Sequence, residues 1–223
     1  MVFNMIDSIV VLSGGMDSTV LLADTLSKGI SVEALSFDYG SKHSDKELTC
    51  AIEICKKYNV AHQIVELPFI NELFSSSLLK SGNQIPEGEY NEPSMKSTVV
   101  PFRNGIMLSI TVGYAESIGA ENVLLGSHSG DHFIYPDCRP EFNNAFSEAV
   151  YLGTDKKVRL RFPFADIDKR DIGDLGKKLG VDFKSTWTCY KGGKFHCGKC
   201  GACDERKYAL RYDEGLDETK YQY

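Results

Sequence analysis

Two groups of residues, near opposite ends of the chain, carry chemistry in their types and spacing. Ser13-Gly14-Gly15-Met16-Asp17-Ser18 directly follows the apolar run Ser8 to Leu12. A strand, this loop and then a helix aim several backbone N–H groups at a positive helix end, an arrangement that binds phosphate. Gly14 and Gly15 let the backbone bend tightly against an anion, and Ser13 and Ser18 add hydroxyl donors. Asp17 gains nothing from a phosphate; it could hold Mg²⁺ or pin the loop. The Gly-Lys-Ser/Thr ending of a Walker A loop is missing, so ordinary kinase or ATPase chemistry loses support. The bland alternative is a glycine-rich turn before a helix.

Cys197-x-x-Cys200-x-x-Cys203 places three thiols on tight turns eased by Gly198 and Gly201, and Cys189 can return as a fourth. Four thiolates at about 2.3 Å close a tetrahedron around structural zinc. His196 could replace one of them. An iron–sulfur cluster is the rival, since C-x2-C-x2-C also opens the bacterial ferredoxin pattern. Its C-x3-C-P continuation is absent, because Asp204-Glu205-Arg206 follows. Cys50 and Cys55 lie on a helical face and read as core residues.

The elements that must position these groups alternate. Ser8 to Leu12, Val32 to Phe37 and Ala61 to Leu67 read as strands, the last ended by Pro68. Thr19 to Leu26 and Asp45 to Tyr58 read as helices, the second burying Leu48, Ala51, Ile52 and Cys55. Phe102 to Ile118 is a helix with Ile106, Ser109, Ile110 and Gly113 on one face. Asn122 to Leu125 is a buried strand and Pro140 to Tyr151 a helix. Asp168 to Leu179 is a helix with Asp168 as N-cap and Gly180 as stop. The β-α-β-α-β order predicts a parallel sheet. Ser75 to Ser97, with Pro86, Gly88 and Pro93, reads as a mobile loop or lid.

The chain has 223 residues, 42% of them hydrophobic, enough for one large domain or a domain with a small appendage. Its net charge of −6 argues against a nucleic-acid partner, although Lys191, Lys194 and Lys199 could form a local basic patch. No signal peptide and no bilayer-spanning run is legible, so the expected location is cytoplasmic. Seven cysteines then point to metal or reactive thiols rather than disulfides.

SGGMDS after an N-terminal strand resembles the PP-loop of the N-type ATP pyrophosphatases. That resemblance implies a Rossmann-like α/β fold of the adenine nucleotide alpha hydrolase kind, with helices on both faces of a parallel sheet. It also implies ATP binding along Leu12, Ser13, Gly14, Gly15, Met16, Asp17, Ser18, Thr19, Val20, Leu21 and Leu22, and cleavage between the α and β phosphates. Phe37-Asp38-Tyr39-Gly40 with His43 and Glu47-Leu48, Val100-Pro101-Phe102-Arg103-Asn104, and Gly126-Ser127-His128-Ser129-Gly130-Asp131 all fall at strand ends or helix starts. Open α/β sheets bind ligands there. Together with Tyr135-Pro136-Asp137-Cys138-Arg139-Pro140-Glu141-Phe142, Trp187-x-Cys189-Tyr190 and the cysteine triplet, these segments resemble the 7-cyano-7-deazaguanine synthase family over nearly the whole chain. Two positions depart from the family's habit: Ser41-Lys42 stands where Gln-Arg is common, and Phe102 where a small residue is common.

The resemblance implies that 7-carboxy-7-deazaguanine and ammonia become the nitrile at the expense of ATP, with Mg²⁺, structural zinc and a homodimer. It implies a PP-loop domain over 1–185 and a zinc-binding segment with a terminal helix over 186–223. Asp17, Ser18, Arg103 and Asp131 are then the candidate catalytic residues. Tyr39, His43, Arg103, Asn104, His128, Asp137, Arg139 and Glu141 are the candidate substrate contacts. Arg103 could clamp a phosphate or the substrate carboxylate. Asp131 could bind Mg²⁺ or the nitrogen nucleophile. Asp137 and Glu141 could pair with the donor edge of a guanine-like base, and Arg139 with its acceptors or carboxylate. The alternative for these three is a surface ion-pair network; His43 and His128 could be structural. Trp187 and Phe195 are expected to pack beside the cysteine knuckle. Two rival functions remain open at this point: a PP-loop enzyme modifying tRNA directly, and a non-catalytic nucleotide- or zinc-dependent interaction module.

Overall fold

The computed structural model describes residues 6–88 and 93–223. The expected strands and helices follow in order: β1 (Ser8–Val11), α1 (Met16–Ser27), β2 (Val32–Asp38), α2 (Ser44–Tyr58) and β3 (Ala61–Glu66). Then come α3 (Pro68–Leu73), α4 (Arg103–Ile118), β4 (Asn122–Leu124), α5 (Pro140–Gly153), β5 (Arg159–Arg161), α6 (Lys169–Lys178) and α7 (Gly201–Ala209). The five strands form one parallel sheet in the order β3-β2-β1-β4-β5. Ser8 pairs with both Val32 and Asn122, so β1 lies at the centre.

The period of two along β1 builds the core. Ile9 and Val11 face one layer, packed with Leu35, Phe37 and the α4 residues Met107, Leu108 and Val112. Val10 and Leu12 face the other, packed with Val20 and Leu21 of α1, Ala51 and Ile54 of α2, and Ile172 of α6. A strand buried on both faces needs a continuous apolar run, which SIVV supplies. The cysteines Cys189, Cys197, Cys200 and Cys203 belong to the first layer, contiguous with the sheet core.

Pro68 follows the end of β3 and occupies the first turn of α3, where its missing N–H costs nothing. Three points differ from expectation. The buried stripe of α4 is Asn104, Met107, Leu108, Thr111, Val112 and Ala115, not the Ile106/Ser109/Ile110/Gly113 face; apolar residues ring this helix, so its sequence marks no single side. Strand β5 is three residues long with an arginine at each end, and nothing in its composition announces it. Of the expected loop 75–97, residues 89–92 lie outside the described residues; the rest is tied down, with Ser76, Ser77, Leu78, Leu79, Ile85 and Met95 buried. Lys42 fastens this segment, its Nζ donating to the carbonyls of Ser77 at 2.9 Å, Gly82 at 3.0 Å and Asn83. Among the described residues no helix is long and apolar enough to cross a membrane.

Candidate active site

A cavity of about 220 Å³ opens between the carboxyl ends of β1, β2 and β4. In the order 3-2-1-4-5 this is the switch point where connections leave β1 and β4 in opposite directions. The SGGMDS loop forms its floor. Gly14 has φ +80°, and a Cβ there would lie 2.2 Å from the Glu47 carbonyl, so only glycine lets the loop pass under α2. The Trp187 amide donates to the Gly14 carbonyl at 2.9 Å. Ser13 and Ser18 hydroxyls sit 3.1 Å apart, and the Gly15 amide donates to Ser13 Oγ at 3.1 Å. No side chain caps α1. The first amides of a helix lack intrahelical acceptors, so those of α1 are left for an anion in the cavity.

The structure adds a cation that the motif lacks. Lys169, the first residue of α6, reaches back to Asp17, Nζ to Oδ2 2.6 Å. It also meets Glu205 Oε2 at 3.3 Å and His128 Nε2 at 3.1 Å. Burial opposes its charge, but the carboxylates of Asp17, Glu205 and Asp131 outweigh that and hold its pKa above the ordinary lysine value. Glu205 in turn is pushed up by burial. Asp131 closes the group: its Oδ2 accepts from the His128 amide at 3.1 Å. Asp17 Oδ1 is buried and has no hydrogen-bond partner. That unsatisfied carboxylate oxygen, beside a phosphate-type loop, suits a hard divalent cation.

Across the cavity, Arg103 starts α4 and donates from Nη1 to Tyr39 Oη at 3.2 Å. Burial opposes the guanidinium, yet Tyr39 and Asp137 keep its pKa raised; the Tyr39 phenol is pushed up by burial. The residue before Arg103 is Phe102, at φ 52° in the left-handed region that favours glycine. Asn104 Nδ2 lies 3.1 Å from Cys138 Sγ. His43 is buried with Nε2 3.6 Å from Glu47 Oε2. Burial lowers His43 to about 4 and raises Glu47 to about 8.

The cavity therefore gathers Leu12, Ser13, Gly15, Met16, Asp17, Ser18, Tyr39, His43, Arg103, Asn104 and Asp131 from the expected set. Others fall elsewhere. Val20, Leu21 and Leu22 are buried in the core behind the loop, and Thr19 turns its hydroxyl to the Gly15 carbonyl at 2.6 Å. His128 sits behind Lys169. Asp137 accepts the Asn104 amide at 2.8 Å and so caps α4 rather than facing the cavity. Arg139 and Glu141 are exposed at the start of α5; Arg139 Nε donates to the His132 carbonyl at 3.0 Å because Pro140 turns the chain into the helix there. No ion pair joins Asp137, Arg139 and Glu141 among the described residues, so the surface network does not form either. Lining residues outside the candidate set include Glu47, Cys138, Trp187 and Tyr190, which lie within the motif segments, and Lys169 and Glu205, which lie outside them. For Lys169 the local signal is weak: a lysine at the first position of a helix opposes the macrodipole and needs a nearby anion, but the sequence does not say which.

The four cysteine sulfurs lie within 4.8 Å of one another and all four residues are buried. Cys197 and Cys203 sulfurs are 3.9 Å apart, close to the roughly 3.8 Å edge of a tetrahedron with Zn–S bonds of about 2.3 Å. Amides of Lys191 and Cys197 donate to Cys189 Sγ, and those of Lys199 and Cys200 to Cys197 Sγ. Such donors stabilise thiolate charge, and the group could hold a metal ion. Trp187 is buried 4.4 Å from His196 between centroids, whereas Phe195 is 40% exposed.

Sheet order, loop and cleft define an α/β protein of the PP-loop class. The fold matches a solved NMN synthetase from Francisella tularensis, with TM-score 0.52 and 15% identity, covering 95% of this chain and 79% of that one. It also matches a 4-thiouridine synthetase solved with RNA and ATP, with TM-score 0.51 and 20% identity, covering 80% and 42%. Within the class, residues 7–213 match the family described as queuosine biosynthesis protein QueC, and the chain belongs to that family. A 7-cyano-7-deazaguanine synthase of Desulfotalea psychrophila is 68% identical over 97% of this chain and 99% of its own. Namesakes from Porphyromonas gingivalis (52%, covering 97% of each chain) and Methanoregula boonei (46%, covering 96% and 99%) follow.

Proposed function

We propose that the protein converts 7-carboxy-7-deazaguanine and ammonia into 7-cyano-7-deazaguanine, using ATP cleaved to AMP and pyrophosphate. The observation that carries this is the uncapped head of α1 opening into the same cavity as Arg103 and the Asp17–Lys169 pair. The family and its namesake relatives supply the substrate class.

A carboxylate resists ammonia because its carbon is electron-rich and oxide is a poor leaving group. A substrate carboxylate oxygen attacks the α-phosphorus, and the bond to pyrophosphate breaks. Ammonia then attacks the acyl carbon, AMP leaves, and a proton is lost to give the amide. The amide oxygen attacks a second ATP in the same way. Loss of AMP and of both nitrogen protons leaves the nitrile. The amides of α1, with Ser13 and Ser18, hold the departing pyrophosphate, and positioning and charge stabilisation are the protein's main contribution. Arg103 orients the carboxylate, with Tyr39, His43 and Asn104 beside it. Asp131 receives the nitrogen nucleophile. Lys169 positions Asp17, whose free oxygen would hold Mg²⁺; bound there, the ion would neutralise phosphate charge. Residues 186–223 form a segment held by structural zinc on Cys189, Cys197, Cys200 and Cys203, appended to the PP-loop domain of 1–185. By resemblance the protein works in the cytoplasm as a homodimer. The net charge of −6 favours small-molecule substrates over tRNA.

Incubation with 7-carboxy-7-deazaguanine, ATP, Mg²⁺ and ammonium tests the reading by mass spectrometry. The nitrile with AMP and pyrophosphate is the expected outcome. Pyrophosphate release driven by tRNA and not by the deazapurine acid, or ADP as the direct product, would overturn it.

A further inference from the structure

Four acids line the cavity: Asp17, Glu47, Asp131 and Glu205. Three of them belong to one electrostatic group. Asp17 and Glu205 flank the Lys169 ammonium, and Asp131 accepts from the His128 amide. Glu47 stands apart. Its side chain is only 19% exposed, His43 Nε2 lies 3.6 Å from its Oε2, the Arg103 charge acts on it from across the cavity, and no described residue donates it a hydrogen bond. A buried carboxyl without donors costs free energy unless a ligand satisfies it.

Its surroundings describe that ligand. Glu47 lines the cavity together with Phe37, Met107 and Trp187, which give apolar walls. The indole is fixed in place, its Nε1 donating to the Cys189 carbonyl at 2.7 Å. The Gly14 loop packs against the Glu47 carbonyl, so the helix turn that carries the carboxyl is held against the phosphate site. A planar heterocycle presenting two adjacent N–H donors would fill the space and occupy both carboxylate oxygens at once. The acids nearer to hand in the sequence do not serve, since Asp137 caps α4 and Glu141 lies in solvent.

We infer that Glu47 reads the donor edge of the substrate, its carboxylate accepting from the ring N1–H and the exocyclic 2-amino group of a guanine-like base. This rests on the proposed deazaguanine chemistry and adds to it the residue that sets base specificity. A site built to bond an amino group rejects the analogue lacking it.

The test compares 7-carboxy-7-deazaguanine with the same acid lacking its 2-amino group, by kcat/KM, in the wild type, Glu47→Gln and Glu47→Asp. The wild type is expected to prefer the amino-bearing acid by at least about tenfold, the effect of one hydrogen bond to a charged group. Glu47→Gln should lose most of that preference, with KM for the acid raised and KM for ATP unchanged. Glu47→Asp should recover part of it. Equal use of the two acids by the wild type overturns the inference without reference to any variant. So does a Glu47→Gln protein that keeps both the KM for ATP and the full preference. If the wild type turns over neither acid, the proposed function itself fails, and the inference with it.

Discussion

Lys169 is a cation placed where a helix least favours one, and three carboxylates justify it. Its side chain is 8% exposed, and removal would leave Asp17, Asp131 and Glu205 facing each other in a buried site. Breaking one side of a buried ion group costs about 3–5 kcal/mol. Lys169→Met should therefore lower stability by that amount in urea unfolding and abolish pyrophosphate release. Lys169→Met with Asp17→Asn should regain part of the stability but none of the activity, a double-mutant signature of direct coupling. An additive double mutant would count against the pairing. Asp17 and Lys169 are 152 residues apart, so no spacing rule joins them. The loop itself was legible because its glycines and helix are local; its charge partner was not, because only the sheet brings α6 to β1.

Glu47 allows a second prediction from its proton. Burial pushes its carboxyl from 4.5 to about 8. Below pH about 4.5 folded and unfolded chains both carry this proton, and the raised pKa contributes its full stability. Without ligand, between about 4.5 and 8 the unfolded carboxyl ionises while the folded one holds its proton, so stability falls as pH rises. Glu47→Gln cannot ionise. Its melting temperature relative to wild type should rise with pH across that window. An offset independent of pH would show that the carboxyl is not buried in this way.

At the scale of elements, the contact between α6 and α7 carries the site. The first helix brings Lys169 and the second Glu205 and Cys203. They approach closely because Gly173 has no side chain: a Cβ there would lie 2.5 Å from the Ala209 carbonyl. Gly173→Ala gains helix propensity in α6 but forces α7 away, and overpacking of this kind costs about 1–3 kcal/mol. The variant should unfold earlier and lose activity through separation of Lys169 from Glu205; unchanged stability would mean the helices can slide apart freely. The termini of α6 were legible, because Asp168 accepts the Arg170 amide at 2.8 Å and Gly180 takes φ +71° beyond the helix. Its partner face was not, since a glycine inside a helix does not say what approaches it. The strands tell the same story: β1 is a four-residue buried run and stood out, while the three residues of β5 are specified by pairing with β4.

At the scale of the whole molecule, the cysteine segment is not a detachable knuckle. Its four cysteines share a core with Ile9, Val11 and Leu35 of the sheet, and Trp187 links it to the phosphate loop through the Gly14 carbonyl. Arg206, fully buried in α7, bonds Thr186, Thr188, Thr219 and the Phe183 carbonyl, binding the segment to itself and to the end of the α/β body. Four thiolates complete a tetrahedron and leave no position for water or substrate, which makes the expected ion structural. Metal-free, four buried sulfurs at this spacing would keep thiols or thiolates in contact, and the segment would lose its centre. Structural zinc contributes on the order of 10 kcal/mol of folding free energy in small sites. Its loss here should propagate through Trp187 to the loop. We therefore expect one zinc per chain by elemental analysis. Cys200→Ser should lose the zinc, lower the melting temperature, and weaken ATP binding even though Cys200 ligates no nucleotide. Iron with sulfide in the purified protein, or a Cys200→Ser variant with full activity, would remove the structural role assigned to the metal.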